Sequence, residues 1–246
     1  MEQSLKPDIR VFNDQEKLFD SVAKAIVEEA NINIKSGGIF SIALSGGNTP
    51  SALYTLLGDK YREQVQWESV HIFWGDERFV PKEHSKSNYQ MAFKTLLSKV
   101  PIPKENIHRI QTENRTPADS AKDYEGQIKD FFKSRVVLFD LVLLGVGEDG
   151  HTASLFPNEP LLEKKGSWVE SVTAPEQYEI SNRVTLTLNA LNLSRKIFFI
   201  VSGKGKREIV KKVLQEYKTN KRTYPSSRMN PVEELVWFLD EDAYDN

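Results

Sequence analysis

One of the four histidines in the chain stands where an imidazole could do chemistry. His151 ends the run Gly145-Val146-Gly147-Glu148-Asp149-Gly150-His151, which directly follows the apolar segment Leu141-Val142-Leu143-Leu144. A neutral imidazole has an ordinary pKa near 6.5, so at neutral pH it can take a proton from water. Asp149 or Glu148 could orient the ring and stabilise the imidazolium that forms. His71, His84 and His108 have no such setting. The first lies in a β-type run and the others in polar connections, and all three read as structural.

Three further segments carry groups suited to an anion. Ser45-Gly46-Gly47-Asn48-Thr49-Pro50 follows another apolar run. Its glycines would let the backbone approach an anion, and the helix after it would present free N–H groups and a positive dipole end. A tight turn capped by Thr49, with Pro50 as first helical residue, is the plainer alternative. The Gly-Lys-Ser/Thr ending of a P-loop is missing. Gly75-Asp76-Glu77-Arg78 sets two carboxylates and a guanidinium in a loop after a strand, and arginine can bind phosphate through two parallel hydrogen bonds. Ser202-Gly203-Lys204-Gly205-Lys206-Arg207 opens a helix with three cations; these disfavour a helix N-terminus unless an anion joins them. Arg183, before Val184-Thr185-Leu186-Thr187, is a further candidate.

Elements that would position these groups alternate along the chain. Leu18, Val22, Ala25 and Ile26 share one helical face after Asn13-Asp14. Ile39–Leu44, His71–Trp74, Leu141–Leu144, Trp168–Val172, Val184–Leu188, Ile197–Val201 and Leu235–Leu239 read as strands. Helices are expected after Pro50, from Ser87 through Leu97, after Thr116 with Tyr124, Ile128 and Phe131 inward, and after Gly203 to about Tyr217. This alternation predicts a doubly wound α/β fold, with a mostly parallel sheet covered by helices on both faces, as one domain over residues 1–246. In such sheets ligands lie beyond the carboxyl ends of the strands, where the candidate segments fall.

Composition narrows the chemistry. A net charge of −2 gives no basic field for nucleic acid. The absence of cysteine removes disulfides, thiolate metal sites and thiol nucleophiles. With no signal-like start and no apolar run of bilayer length, a cytoplasmic protein without membrane partners is expected. Gly145-Val146-Gly147-Glu148-Asp149-Gly150 matches the dinucleotide fingerprint G-x-G-x-x-G, and Glu170 lies near the expected acidic position. Two carboxylates where a pyrophosphate should rest, and Pro157 in the following stretch, argue against that use.

Together these segments resemble the 6-phosphogluconolactonase family of the glucosamine-6-phosphate isomerase/6-phosphogluconolactonase superfamily. The resemblance rests on Ser45–Pro50, Asp76-Glu77-Arg78 with Ser87-Asn88, Gly145–Pro157, Arg183–Thr187, Ser202-Gly203 with Lys206, and Trp237-Phe238-Leu239-Asp240. It implies a fold shared with sugar-phosphate deaminases and ketol isomerases. It also implies hydrolysis of 6-phospho-D-glucono-1,5-lactone to 6-phosphogluconate in the oxidative pentose phosphate pathway, with no cofactor and no metal. His151 would then be the base and Asp149 its orienting carboxylate. Ser45, Gly46, Gly47, Asn48, Thr49, Asp76, Arg78, Arg183 and Lys206 would bind the phosphorylated sugar lactone, the only partner implied, in a monomer or at most a weak homo-oligomer. The chain departs from the family pattern at Lys204 and Arg207, where smaller or acidic residues are more usual, and register favours Lys206 over Lys204. Three other functions remain open at this point. One is a glucosamine-6-phosphate deaminase/isomerase, whose pattern after Gly-His differs from Thr152–Pro157 and whose Asn-Glu-Pro is here displaced to Asn158-Glu159-Pro160. The second is a non-catalytic sugar-phosphate sensor, and the third a nicotinamide-dependent oxidoreductase.

Overall fold

The most apolar runs of the chain become strands that are buried at every position. In the computed structural model, which describes residues 5–36, 38–133 and 135–244, these are Phe40–Leu44 (β2) and Leu141–Leu144 (β5). Burial on both faces is what an interior strand of a parallel sheet requires. They lie side by side in a six-stranded parallel sheet completed by Asp8–Phe12 (β1), Val70–Trp74 (β3), Lys196–Val201 (β8) and Glu234–Asp240 (β9), in the order β1-β9-β8-β5-β2-β3.

Helix starts follow local capping chemistry. Asp14 accepts from Lys17 N at the head of Gln15–Lys35 (α1), and Thr116 and Asp119 close a capping box on Pro117–Phe132 (α4). The helix Asn48–Lys60 (α2) begins two residues earlier than expected. Its cap is Gly47, at φ +114, a conformation open to glycine and strained for other residues. Thr49 is therefore not the cap but lies in the first turn. Asn88–Ala92 (α3) continues as a π-helical turn over Phe93–Leu97. Arg207–Thr219 (α6) begins only after a 3₁₀ turn over Lys204–Lys206.

Strand order sets which faces the helices cover. The chain moves from β2 outward to β3, then returns to β5 on the other side of β2 and runs on through β8 to β9. Right-handed crossovers in these opposite directions put α1 and α2 on one face and α4 and α6 on the other. The crevice between the carboxyl ends of β2 and β5 is thus the point at which the winding reverses.

Two features were not expected from the sequence. β1 is an additional parallel strand at the edge, paired with β9. Asp76–Arg78 is a strand (β4), not a loop, and belongs to a separate antiparallel sheet ordered β4-β7-β6 with Asn182–Leu186 (β7) and Val169–Thr173 (β6). Gly75 makes the bend between the two sheets. Its N–H donates to Leu44 O and its carbonyl accepts from Leu186 N, so the chain leaves one sheet hydrogen-bonded to both. Glu77, 3 % exposed, anchors the connection to α3. Its carboxylate accepts from the backbone of Arg78, Asn88 and Tyr89 and from the Ser87 hydroxyl. Burial pushes its pKa up to about 7, against the opposing pull of those amides. The short helix Leu188–Asn192 (α5) links this sheet to β8.

His71 and His108 meet at 3.1 Å, Nδ1 to Nε2, beside the rings of Phe73 and Phe131. Burial lowers the pKa of both, and His71 adds to the effect on His108, which falls to about 4. Unfolded histidine titrates near 6.5, so the folded state resists protons that the unfolded state accepts. The stabilisation is therefore complete above pH 6.5 and is lost as pH falls toward 4. The melting temperature should drop across that window, and His108→Gln should flatten the drop; equal slopes in both proteins would refute this account.

Candidate active site

Loops from the two central strands and the second sheet meet over the crevice. They enclose an open cleft of about 190 Å³ lined by Ser45 and Gly46 after β2, Asp76 and Arg78 on β4, Gly145–Gly147 and His151–Ala153 after β5, Arg183 on β7, and Lys206 after β8. A neighbouring hollow shares Gly147, His151 and Lys206 with it and is completed by Glu148, Asp149, Gln177 and Tyr178. His151 and Lys206 therefore stand between two openings.

The loop after β5 is folded around its own histidine. Gly147 N donates to His151 O, and Gly150 N donates to Gly147 O. A β-carbon on Gly147 would lie 2.0 Å from His151 Nδ1, so the ring occupies space that only glycine leaves free. Nδ1 lies 2.6 Å from Asp149 Oδ1, which also accepts from His151 N. Tyr178 OH donates to Asp149 Oδ2 and lies 3.1 Å from Nδ1. Burial alone would raise the pKa of Asp149, but bonding and charge from His151, with Tyr178 helping, bring it to about 2. Asp149 is therefore ionised at neutral pH and accepts from Nδ1–H. Among the described residues, no hydrogen bond engages Nε2. Phe156 packs against the imidazole with ring centroids 5.0 Å apart.

The cations come from three places. Arg78 and Arg183 are cross-strand partners in the β4–β7 ladder. Arg183 is only 7 % exposed; its Nε donates to Ile180 O, and its guanidinium lies over the rings of Phe156 and Tyr178. Burial lowers its pKa, with Asp76 opposing and Arg78 adding to the fall. Arg78 donates to Lys86 O, while its buried Nε has no partner among the described residues. Lys206 faces both openings, whereas Lys204 is 81 % exposed at its side chain and lies toward Asp242. Gly203 N, just before them, is held by the Asp240 carboxylate at the end of β9.

Asp76 is held from behind by Ser154 Oγ and Asn88 Nδ2. The buried hydroxyl of Ser45 has no hydrogen-bond partner among the described residues and lies at the cleft wall. Gly46 must be glycine because an added β-carbon would meet the Asn88 amide at 1.8 Å. Of the residues expected to bind substrate, Ser45, Gly46, Asp76, Arg78, Arg183 and Lys206 line the cleft with His151. Gly47, Asn48 and Thr49 do not; they form the cap and first turn of α2, where Thr49 Oγ1 lies 3.4 Å from Ser202 Oγ. Asp149 is behind the histidine, in the adjacent hollow. Sequence reasoning missed Tyr178, which sits in the β6–β7 connection without any motif around it, and the supporting role of Ser154. His84 lies outside the cleft, as do His71 and His108.

The family model described as glucosamine-6-phosphate isomerases/6-phosphogluconolactonase matches residues 13–237. A 6-phosphogluconolactonase of Synechocystis sp. is 35% identical, the match covering 98% of this chain and 99% of that protein. The structure of 6-phosphogluconolactonase from Trypanosoma brucei superposes with a TM-score of 0.85 at 28% identity, over 98% of both chains. A monomeric glucosamine-6-phosphate deaminase shares the fold, with a TM-score of 0.81 at 17% identity over 96% of this chain and 98% of that one. With its motifs in family order and the family model matched over residues 13–237, the chain belongs to the glucosamine-6-phosphate isomerase/6-phosphogluconolactonase family.

Proposed function

We propose that this chain is a 6-phosphogluconolactonase, which opens 6-phospho-D-glucono-1,5-lactone to 6-phospho-D-gluconate with His151 as general base. The observation that carries this reading is the His151–Asp149 pair at the edge of a cleft lined by three cations. Asp149 holds the Nδ1 hydrogen, so Nε2 takes a proton from water as the water oxygen bonds to the lactone carbonyl carbon. The tetrahedral intermediate carries an oxyanion, which a neighbouring guanidinium or ammonium stabilises. Its collapse breaks the bond to the ring oxygen, and the imidazolium returns the proton to that oxygen. The result is an open chain with a new hydroxyl and a carboxylic acid, which loses the remaining water proton to solvent and becomes a carboxylate.

The phosphate, at the far end of the substrate, supplies binding energy that fixes the ring for attack. Its cradle is the start of α2, where the Gly46 backbone and the unpaired Ser45 hydroxyl border the cleft and the helix dipole favours an anion, together with the cations not used at the carbonyl. A lactone is an activated ester, so one positioned water and one base suffice without a covalent intermediate. Glu159, the residue nearest to the deaminase pattern, is not among the residues lining either opening. This favours the lactonase over the deaminase. No helix among the described residues is long and apolar enough to cross a membrane.

The test is hydrolysis of freshly prepared 6-phosphogluconolactone in chelator, with the spontaneous rate subtracted. Enzyme-dependent opening, without ammonia release from glucosamine 6-phosphate, is expected. Ammonia release would turn the reading to the deaminase, and tight binding with no turnover to the sensor.

A further inference from the structure

Among the described residues, Tyr178 is the one side chain outside their loop that hydrogen-bonds with both members of the catalytic pair. It lies in the connection between β6 and β7, a hairpin closed by Ala174 N to Ser181 O. Its hydroxyl is 3.2 Å from Asp149 Oδ2 and 3.1 Å from His151 Nδ1. Its ring stands edge-on to the imidazole at 5.4 Å, with an interplanar angle of 88°, and the Arg183 guanidinium covers it. Burial and the Asp149 charge push its pKa up to about 12, so it keeps its hydrogen throughout the neutral range.

We propose that Tyr178 is a positioning residue for the base, donating its hydroxyl hydrogen to Asp149 Oδ2 and so presenting Oδ1 to Nδ1–H of His151. Three polar groups meet here with two hydrogens to share. If Tyr178 bonds Oδ2 and Nδ1–H bonds Oδ1, each hydrogen has its own acceptor and Nε2 is left as the basic nitrogen. In the other tautomer Nδ1 and Oδ1 would face each other at 2.6 Å with lone pairs opposed. The other charged groups around the pair are Glu148 on its own loop, Arg183 from β7, Lys206 from the turn after β8, and Asp76 and Arg78 from β4.

The conservative test is Tyr178→Phe, which removes one oxygen and keeps the ring packing. Two readouts separate this inference from the lactonase reading on which its kinetic part rests. Nitrogen-15 spectra of the imidazole, assigned with His151→Ala, need no substrate. They should show the Nδ1–H tautomer in the parent and a share of the Nε2–H tautomer in the variant. In lactone hydrolysis the variant should lose about tenfold in kcat with KM little changed. An unchanged tautomer with parental kcat would overturn the proposal. A raised KM with an unchanged tautomer would also overturn it, by making Tyr178 a substrate ligand. If the parent itself fails to open the lactone, the function assignment falls while the spectra still decide the role of Tyr178.

Discussion

Exchange of His151 for alanine is expected to lower kcat for lactone hydrolysis by about a thousandfold, in the range that positioned acid–base groups supply. Among the described residues, no second imidazole lines the cleft. Asp149 is held near pKa 2 and is too weak a base to draw a proton from water. Tyr178 keeps its proton at neutral pH, and the other three histidines lie outside the cleft. Binding should survive, because the residues proposed to hold the phosphate are on other loops. Affinity for the product 6-phosphogluconate, measured by calorimetry, should therefore stay within a few-fold of the parent. The fold should survive too, since the imidazole rests on Phe156 at one side of an open cleft and is not part of the core. Unchanged turnover in a folded variant would remove His151 from the mechanism. Lost turnover together with lost product binding would make it a ligand instead of a base.

Gly147→Ala should cost about a hundredfold in kcat without removing any group that does chemistry. The new methyl would come within 2.0 Å of His151 Nδ1, 2.1 Å of Cε1 and 2.8 Å of Asp149 Oδ1. These are the ends of side chains, which can swing, and the backbone of Gly147 is not in the left-handed region. Relief therefore comes from displacing the imidazole and breaking its bond to Asp149, while the loop keeps its path. A displacement of about an ångström is enough to cost two orders of magnitude in a reaction that depends on aligned atoms. Gly126→Ala is the natural comparison, because its added methyl on α4 meets nothing within 4 Å; its activity should match the parent. Parental activity in Gly147→Ala would show that the observed position of the imidazole is not the working one.

How far the sequence could reveal this architecture depended on the range of the signal. Apolar runs such as Leu141–Leu144 reveal buried strands because both faces need apolar residues. Glycines and charges just after such a run mark the loop that follows. His151, Ser45 and Lys206 all belong to that kind of local pattern. Asp76-Glu77-Arg78 does not: three charged residues resemble a solvated turn, and they become a strand only because β7 returns from more distant sequence to pair with them. β1 was hidden for a related reason. Asp8 and Arg10 interrupt its apolar pattern, as suits an edge that must not recruit another chain. Thr49 and Pro50 resembled a helix start, yet the preceding glycine could take a backbone angle that set the cap earlier. Tyr178 had no local signal at all. Its relation to His151 is created by the hairpin that brings β6 and β7 together.

The pairing of β1 has a consequence for synthesis. Asp8 meets Val236 and Phe12 meets Asp240, and among the described residues no other strand borders β1. On the ribosome this first strand therefore emerges without a partner and remains so until β9 has been made. At roughly 5–20 residues per second that is a wait on the order of tens of seconds. Throughout it, the charges of Asp8 and Arg10 keep an unpaired strand from finding a neighbour on another nascent chain. The same residues that hid this strand in the sequence thus act as its own chaperone.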